Sequence, residues 1–155
     1  MRKANVQSWV GQPAPVFELA DENGKLVKLS DYLGRQPVVL IFYPGDDTPG
    51  CTKQLCAIRD DAKEFAKLKI AVFGVNPGSR QSHFAFKHKY GLTAKLLVDE
   101  GKRVAQKYGA IKKFFKAVIV KRTVVAIGKS GKIIYYQPGL PENAEILNAL
   151  KKPQS

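Results

Sequence analysis

Both cysteines of the chain lie five residues apart in one short segment, and this segment is the first place to look for chemistry. It reads Pro44-Gly-Asp-Asp-Thr-Pro-Gly-Cys51-Thr-Lys-Gln-Leu-Cys56. A thiolate is the reactive form of cysteine, and a helix N-terminus favours this anion through unpaired N–H groups and the helix dipole. An apolar run over 38–42 precedes the segment, and an amphipathic pattern follows it. This order predicts a strand, a loop and a helix whose N-terminus holds Cys51 as an activated thiol.

The elements that must position this thiol follow from hydrophobic periodicity and turn residues. We predict a hairpin from 16–19 and 26–29, buried strands over 38–43, 70–75 and 96–98, helices over 52–68, 79–90 and 102–108, a late hairpin from 123–127 and 132–136, and a final helix from Pro141 to about 150. Residues 112–121 are irregular or strand-like. Alternating strands and helices imply parallel pairing, and the late hairpin adds antiparallel strands. The expected fold is one α/β domain over 1–155 with a mixed central sheet.

Size and composition suit a globular protein with a real core. The chain has 155 residues, 45% of them hydrophobic. No apolar stretch approaches the ~20 residues that span a bilayer, and residues 1–10 lack the apolar region of a signal peptide. We therefore expect a cytoplasmic protein with no membrane partner, although a processed organellar chain would have the same features. In a reducing compartment, two cysteines favour a catalytic or redox role over a permanent disulfide.

The net charge of +13 is unevenly distributed. No acidic residue occurs between Glu100 and Glu142, whereas ten basic residues do: Lys102, Arg103, Lys107, Lys112, Lys113, Lys116, Lys121, Arg122, Lys129 and Lys132. Such a block is able to attract nucleic acid or anionic membranes. We favour a solvated basic face, because these residues sit within ordinary helix and strand patterns.

Other groups of residues in the sequence are weaker indications of a chemical function. His83 and His88 are five residues apart, a poor spacing for a helical metal pair, and a surface helix explains them better. Asp46 and Asp47 are adjacent loop residues that we expect to be solvated. Neither a phosphate-binding glycine loop nor a Cys-x-x-Cys pair is present, which argues against nucleotide binding and against a general disulfide reductase.

The segment Pro44-x-x-x-Thr48-x-x-Cys51 closely resembles the active-site motif of peroxiredoxins. The Cys51-x4-Cys56 spacing is similar to that of the Q-type, or bacterioferritin-comigratory-protein, branch. The resemblance covers most of the chain, and the run from Arg122 to Gly128 resembles the strand that carries the family's active-site arginine. It departs from the family at Gly128, where an acidic turn residue is common, and in its unusually basic run. The resemblance implies a thioredoxin-like fold with an N-terminal hairpin.

The resemblance also implies a role for each motif residue. Cys51 is the nucleophile, whose attack on a peroxide oxygen leaves a sulfenic acid. Arg122 stabilises the thiolate and polarises the peroxide. The Thr48 hydroxyl is able to accept from the peroxide and donate to sulfur, and Pro44 shields the thiolate from water. Cys56 is the resolving thiol, which condenses with the sulfenic acid to a disulfide.

The spacing of the two cysteines on a helix constrains that last step. Residues five apart on an ideal helix have Cα atoms roughly 8.6 Å apart, whereas a disulfide requires about 7 Å or less. We therefore expect the first turns of the helix to unwind when the disulfide forms.

The implied activity is reduction of hydrogen peroxide and alkyl hydroperoxides without metal, haem or flavin. Thioredoxin or a similar dithiol would recycle the disulfide by thiol–disulfide exchange, and members of this branch are often monomers. Two alternatives remain open at this stage. One is a basic protein that binds nucleic acid through residues 102–132, and the other is a redox sensor or holdase that uses the cysteine pair to change shape.

Overall fold

The computed structural model describes residues 6–152. Its strands and α-helices follow in chain order: α1 (Val6–Trp9), β1 (Glu18–Ala20), β2 (Leu26–Lys28), β3 (Val38–Phe42), α2 (Pro49–Asp60), α3 (Ala62–Lys67), β4 (Ala71–Asn76), α4 (Arg80–Tyr90), β5 (Lys95–Val98), α5 (Arg103–Lys107), β6 (Ile111–Phe114), β7 (Ala117–Val120), β8 (Thr123–Ile127), β9 (Ile133–Pro138) and α6 (Asn143–Lys151). Short 3₁₀ helices cover Leu29–Asp31 and Glu100–Lys102. None of the helices in this part of the chain is long and apolar enough to cross a membrane.

The central sheet has five strands in the order β5-β4-β3-β8-β9. Strand β3 pairs in parallel with β4, which pairs in parallel with β5, whereas β8 runs antiparallel to both β3 and β9. All residues of β3 are buried, as expected for the middle strand of a sheet covered on both faces. The predicted mixed sheet and thioredoxin-like fold are confirmed.

The two faces of β3 belong to two apolar clusters. Val38, Leu40 and Phe42 pack into a cluster with Tyr108, which follows α5, and with residues of the N-terminal hairpin. Val39 and Ile41 pack into a second cluster formed with helices α2, α4 and α6. Helix α2 is therefore held directly against the strand that precedes it, which fixes the loop between them.

The N-terminal hairpin forms where the Asn-Gly turn predicted it. The Asp21 carboxylate accepts hydrogen bonds from the backbone N–H groups of Asn23 (2.8 Å) and Lys25 (3.0 Å). Gly24 has a φ of +81°, a conformation that glycine adopts without strain. Strands β1 and β2 pair with each other outside the central sheet.

Two sequence expectations need correction. The helix predicted over 52–68 is two helices, α2 and α3, interrupted at Asp61, whose carboxylate accepts a hydrogen bond from Asn143 at 2.9 Å. Helix α6 begins at Asn143 and not at Pro141, with Glu142 as its N-cap residue. Residues 112–121 were expected to be irregular or strand-like, and residues 111–120 form a separate two-stranded hairpin.

Candidate active site

Cys51 lies in the first turn of α2. Pro49 is the first helical residue, a position where its missing N–H is harmless, and Thr48 is the N-cap residue in an extended conformation. The Cys51 side chain is completely buried, and the thiol is free. The sequence-based prediction of a cysteine at a helix N-terminus is confirmed.

Arg122, the residue that precedes β8, reaches this thiol. Its Nη1 donates a hydrogen bond to Cys51 Sγ at 3.2 Å. The contact follows from the sheet register, because Phe42 at the end of β3 pairs with Thr123 at the start of β8. This contact places a permanently charged guanidinium directly against the sulfur.

Gln54 is a site residue that sequence reasoning missed. It lies one helical turn after Cys51 and is only 8% exposed, and its Oε1 accepts a hydrogen bond from Arg122 Nη1 at 3.4 Å. Gln54 therefore helps to hold the guanidinium over the sulfur. Its position on the same helix face as Cys51, three residues later, is the signal that could have identified it.

Gly50 provides the room for the arginine. A Cβ at this position would lie 2.8 Å from Arg122 Nη2 and 3.2 Å from Cζ, closer than side-chain contacts allow. Any larger residue would therefore displace the guanidinium. This glycine is required by close approach to another side chain and not by its backbone conformation.

Thr48 and Pro44 lie on the outer side of the site. The Thr48 hydroxyl donates to the backbone carbonyl of Gly45 at 2.9 Å, so its proton is committed to the loop and its lone pairs remain available as acceptors. Pro44 is exposed and lines an open groove of about 450 Å³ together with Arg122 and Leu140. Arg122 therefore belongs both to this groove and to the contact with the Cys51 sulfur.

Cys56 lies further along α2, half-buried and with a free thiol. Both cysteines therefore belong to one continuous helix in this structure. The expectation that both cysteines lie on one helix is confirmed. A disulfide between them requires this helix to unwind locally.

A buried hydrogen-bond network fixes the loop that carries Pro44 and Thr48. The Asp46 carboxylate accepts hydrogen bonds from Tyr43 (2.7 Å) and from Ser82 of α4 (2.7 Å), and it lies 2.6 Å from Nδ1 of His83. The expectations that Asp46 is solvated and that His83 lies on a helix surface are both wrong. His83 is completely buried, because α4 packs this face against the ends of the central strands.

The surroundings of His83 favour a charged imidazole. Its Nε2 lies 3.1 Å from the Asn76 carbonyl and 3.0 Å from the Leu97 carbonyl, so both ring nitrogens face acceptors. Burial alone would lower the pKa of His83, but the bonds to Asp46 and to these carbonyls outweigh it, and the pKa is raised above 6.5. Burial opposes the charge on Asp46 as well, yet the bonds from His83, Ser82 and Tyr43 hold its pKa below 3.8.

This ion pair predicts a specific pH dependence. The raised pKa of His83 gives stability that is full below the unfolded value and lost as the pH rises through the folded one. The lowered pKa of Asp46 gives stability that is lost as the pH falls through its folded value. The pair should therefore stabilise the loop most between about pH 4 and pH 6.5, with the free energy of unfolding declining at higher pH.

Asp46→Asn tests this pair without breaking the hydrogen-bond geometry. The amide can donate to Nδ1 of a neutral His83, so the stabilisation of the charged imidazole by the Asp46 carboxylate is lost and only the two backbone carbonyls still oppose the effect of burial. The pKa of His83 should therefore fall below that in the parent protein. We expect the loss of stability above pH 6.5 to become smaller, as measured by chemical unfolding across pH. The chain has two histidines, so an exposed-site His88→Gln background leaves one NMR signal to titrate. An unchanged His83 titration in Asp46→Asn would contradict the assignment.

The described residues contain no group of three or more metal-ligating side chains that could hold a metal ion. A buried cysteine at a helix N-terminus, hydrogen-bonded to an arginine that directly precedes a strand of a thioredoxin-like sheet, defines a cysteine-dependent redox enzyme. The profile of the AhpC/TSA family matches residues 10–136, and the chain belongs to that family.

Curated relatives narrow the assignment to one branch. Chloroplastic peroxiredoxin Q of Suaeda salsa is 42% identical over 85% of this chain and 62% of its own length, so the chain spans less than two thirds of that plant protein. Peroxiredoxin Bcp of Bacillus subtilis is 41% identical over 81% of this chain and 82% of its own. The crystal structure of peroxidoxin BcpB from Mycobacterium tuberculosis superposes with a TM-score of 0.85 at 31% identity, covering 94% of this chain and 98% of that one. These comparisons confirm the predicted branch and enzyme class, a thiol-dependent peroxidase.

Proposed function

We propose that this chain reduces hydrogen peroxide and alkyl hydroperoxides through Cys51, with Cys56 as resolving thiol. The observation that supports it most directly is the 3.2 Å hydrogen bond from Arg122 to the sulfur of Cys51. Together with the helix N-terminus, this bond places two sources of positive charge at a completely buried sulfur. The single-domain organisation over 1–155 stays a prediction that accompanies this proposal.

The first step is attack of the Cys51 thiolate on one peroxide oxygen. The S–O bond forms as the O–O bond breaks, leaving a sulfenic acid and, after proton transfer to the departing oxygen, water or an alcohol. Arg122 and the backbone N–H groups of Gly50 and Cys51, in the first helical turn, can stabilise the charge that develops on oxygen. The Thr48 hydroxyl donates its hydrogen bond to the Gly45 carbonyl, so its lone pairs can accept from the peroxide. Pro44 limits access of water at the groove.

The second step is attack of the Cys56 thiol on the sulfenic sulfur, which forms a disulfide and releases water. Both residues lie in α2, where an ideal helix separates their Cα atoms by roughly 8.6 Å. Since a disulfide requires about 7 Å or less, α2 must unwind locally. Thioredoxin or a similar dithiol would then reduce the disulfide through a mixed disulfide, becoming oxidised itself.

Local unfolding should be visible by hydrogen exchange. We expect the backbone amides of 51–60 to lose protection in the oxidised protein, while those of the buried strand β3 keep theirs. Far-UV circular dichroism should show a matching loss of helix. Equal protection of 51–60 in the reduced and the peroxide-treated protein would contradict a Cys51–Cys56 disulfide formed by unwinding.

Peroxide consumption by the reduced protein tests the proposed function. In the presence of a thioredoxin system we expect continuous consumption of hydrogen peroxide and of an alkyl hydroperoxide. Without reductant, one equivalent of peroxide should remove both free thiols. Consumption that does not require the dithiol, or thiols that survive excess peroxide, would refute the proposal.

The oligomeric state and the cellular location of this chain remain part of this proposal. A monomer in the cytoplasm is predicted from the sequence alone. The named relatives include chloroplastic plant proteins and a bacterial one, which keeps a processed organellar chain as the alternative location. Sedimentation of the reduced and oxidised protein would test the monomer.

A further inference from the structure

The hairpin of β6 and β7 projects an exposed aromatic pair. The two strands pair only with each other, and Phe115 and Lys116 form the turn between Phe114 and Ala117. Phe114 is 61% exposed and Phe115 is 90% exposed. Their rings meet edge to face, with centroids 4.6 Å apart and planes at 76°. The hairpin therefore ends in a compact apolar tip that packs on no core.

The turn at the tip holds a phenylalanine in a strained backbone conformation. Phe115 has a φ of +55°, in the left-handed region that bulky side chains rarely adopt. Glycine or asparagine would form such a turn without this strain. A turn needed only to connect two strands gives no reason for phenylalanine here. Strained residues of this kind are retained where the side chain has a function.

Positive charge surrounds the tip. Lys112, Lys113 and Lys116 are exposed, and within residues 6–152 no carboxylate lies at ion-pair distance from any of them. The chain as a whole carries a net charge of +13. Like charges oppose the association of two such tips, so a second copy of this chain is a poor partner. The complementary partner is anionic and accepts an apolar wedge.

We infer that this hairpin docks the protein onto anionic lipid surfaces. Phe114 and Phe115 enter the boundary between headgroups and acyl chains, and the lysines contact anionic headgroups. A single-stranded nucleic acid fits the tip less well, because such ligands run along a basic groove in which bases stack on accessible aromatic faces. Here the two phenylalanine rings meet edge to face at an exposed hairpin tip and do not line a groove. This inference departs from the sequence-based expectation that the basic residues form a solvated face and that the protein has no membrane partner.

The inference rests on the hairpin alone and does not depend on peroxidase activity. The hairpin nevertheless adjoins the candidate active site, because Lys112 and Ile119 line the same groove as Pro44 and Arg122. A protein docked through the tip would hold this groove near the lipid surface.

Vesicle co-sedimentation tests the docking. We expect the full chain to bind phosphatidylcholine vesicles that contain about one third phosphatidylglycerol, and to be released by high salt. Phe114→Ser with Phe115→Asn should weaken binding about tenfold or more, because most of the inserted apolar area is lost. Asparagine tolerates the left-handed turn, so the hairpin should stay folded. Phe84→Ser, an exposed aromatic on α4, is the matched control and should bind like the parent.

Charge removal provides a second set of variants. Lys113→Gln with Lys116→Gln should weaken vesicle binding about fivefold per lysine. The control is Lys63→Gln with Lys151→Gln, which changes two exposed lysines on helices α3 and α6 and should have a much smaller effect. No binding to anionic vesicles, or binding that survives loss of both phenylalanines, would overturn the inference. Binding of a single-stranded oligonucleotide that exceeds vesicle binding and is lost in the same tip variants would assign the hairpin to nucleic acid instead.

Discussion

Cys51→Ser should abolish peroxide turnover, whereas Cys56→Ser should react once and then stop. The first change removes the proposed nucleophile, since a serine hydroxyl has neither the nucleophilicity nor the acidity of a thiol. The second leaves the Cys51–Arg122 contact of 3.2 Å intact but removes the thiol that we propose resolves the sulfenic acid. Stopped-flow peroxide consumption in single and multiple turnover separates the two steps.

The two variants serve as controls for each other. Both replace a sulfur atom by oxygen in the same helix, so a general loss of structure would affect them alike. Cys56→Ser should accumulate a sulfenic acid that a dimedone-type probe traps at Cys51, and Cys51→Ser should show no such adduct. If Cys56→Ser turns over continuously with a dithiol, the reductant attacks the sulfenic acid directly and Cys56 is not the resolving thiol.

Arg122→Lys should lower the rate of the first step by about 10²-fold or more, in the range seen when one donor to a developing oxyanion is lost. Lysine keeps the positive charge but replaces the planar guanidinium, whose Nη1 donates to both Cys51 and Gln54, by a compact ammonium on a flexible stem. The rate of sulfenic acid formation in Cys56→Ser isolates this step. Arg103→Lys, an exposed arginine of the same basic block, is the matched control and should leave the rate unchanged.

Gly50→Ala tests the same contact by displacement. The added Cβ would lie 2.8 Å from Arg122 Nη2, and the arginine side chain is flexible enough to move away. We expect the rate of the first step to fall at least tenfold, while the free energy of unfolding stays the same or rises, because alanine favours a helix over glycine by about 1 kcal/mol. An unchanged rate in Gly50→Ala would show that the guanidinium need not lie where the structure places it.

The position of the nucleophile could be predicted because it depends on local sequence. The apolar run over 38–42, the loop that follows and the helical pattern after it together place Cys51 in a first helical turn, and the structure confirms this. The central strand could also be predicted, since a continuous apolar run indicates burial on both faces. For residues 112–121 the sequence left irregular and strand-like structure open, and it did not predict that β6 and β7 pair with each other as a separate hairpin.

The arginine is an intermediate case. Ten basic residues crowd the chain between Glu100 and Glu142, and no local pattern separates Arg122 from the others. The resemblance to peroxiredoxins singled it out. The structure gives the physical reason, which is the antiparallel register that sets Thr123 opposite Phe42 and brings Arg122 beside the loop after β3. Gln54 was missed because its importance depends on that arginine.

What the sequence by itself determined is the local chemistry: two thiols in one helix, the nucleophile at its N-terminus, and the mixed sheet that precedes and follows them. What only the tertiary structure decided are the long-range contacts. Asp46 and His83 lie 37 residues apart and each was expected to face solvent, yet they form a 2.6 Å pair. Short-range patterns report how a residue relates to its own helix or strand, whereas a buried pair exists only once packing has removed both groups from water. For that reason the pair that holds the active-site loop, and the contact of Arg122 with Cys51, became visible only in the folded chain.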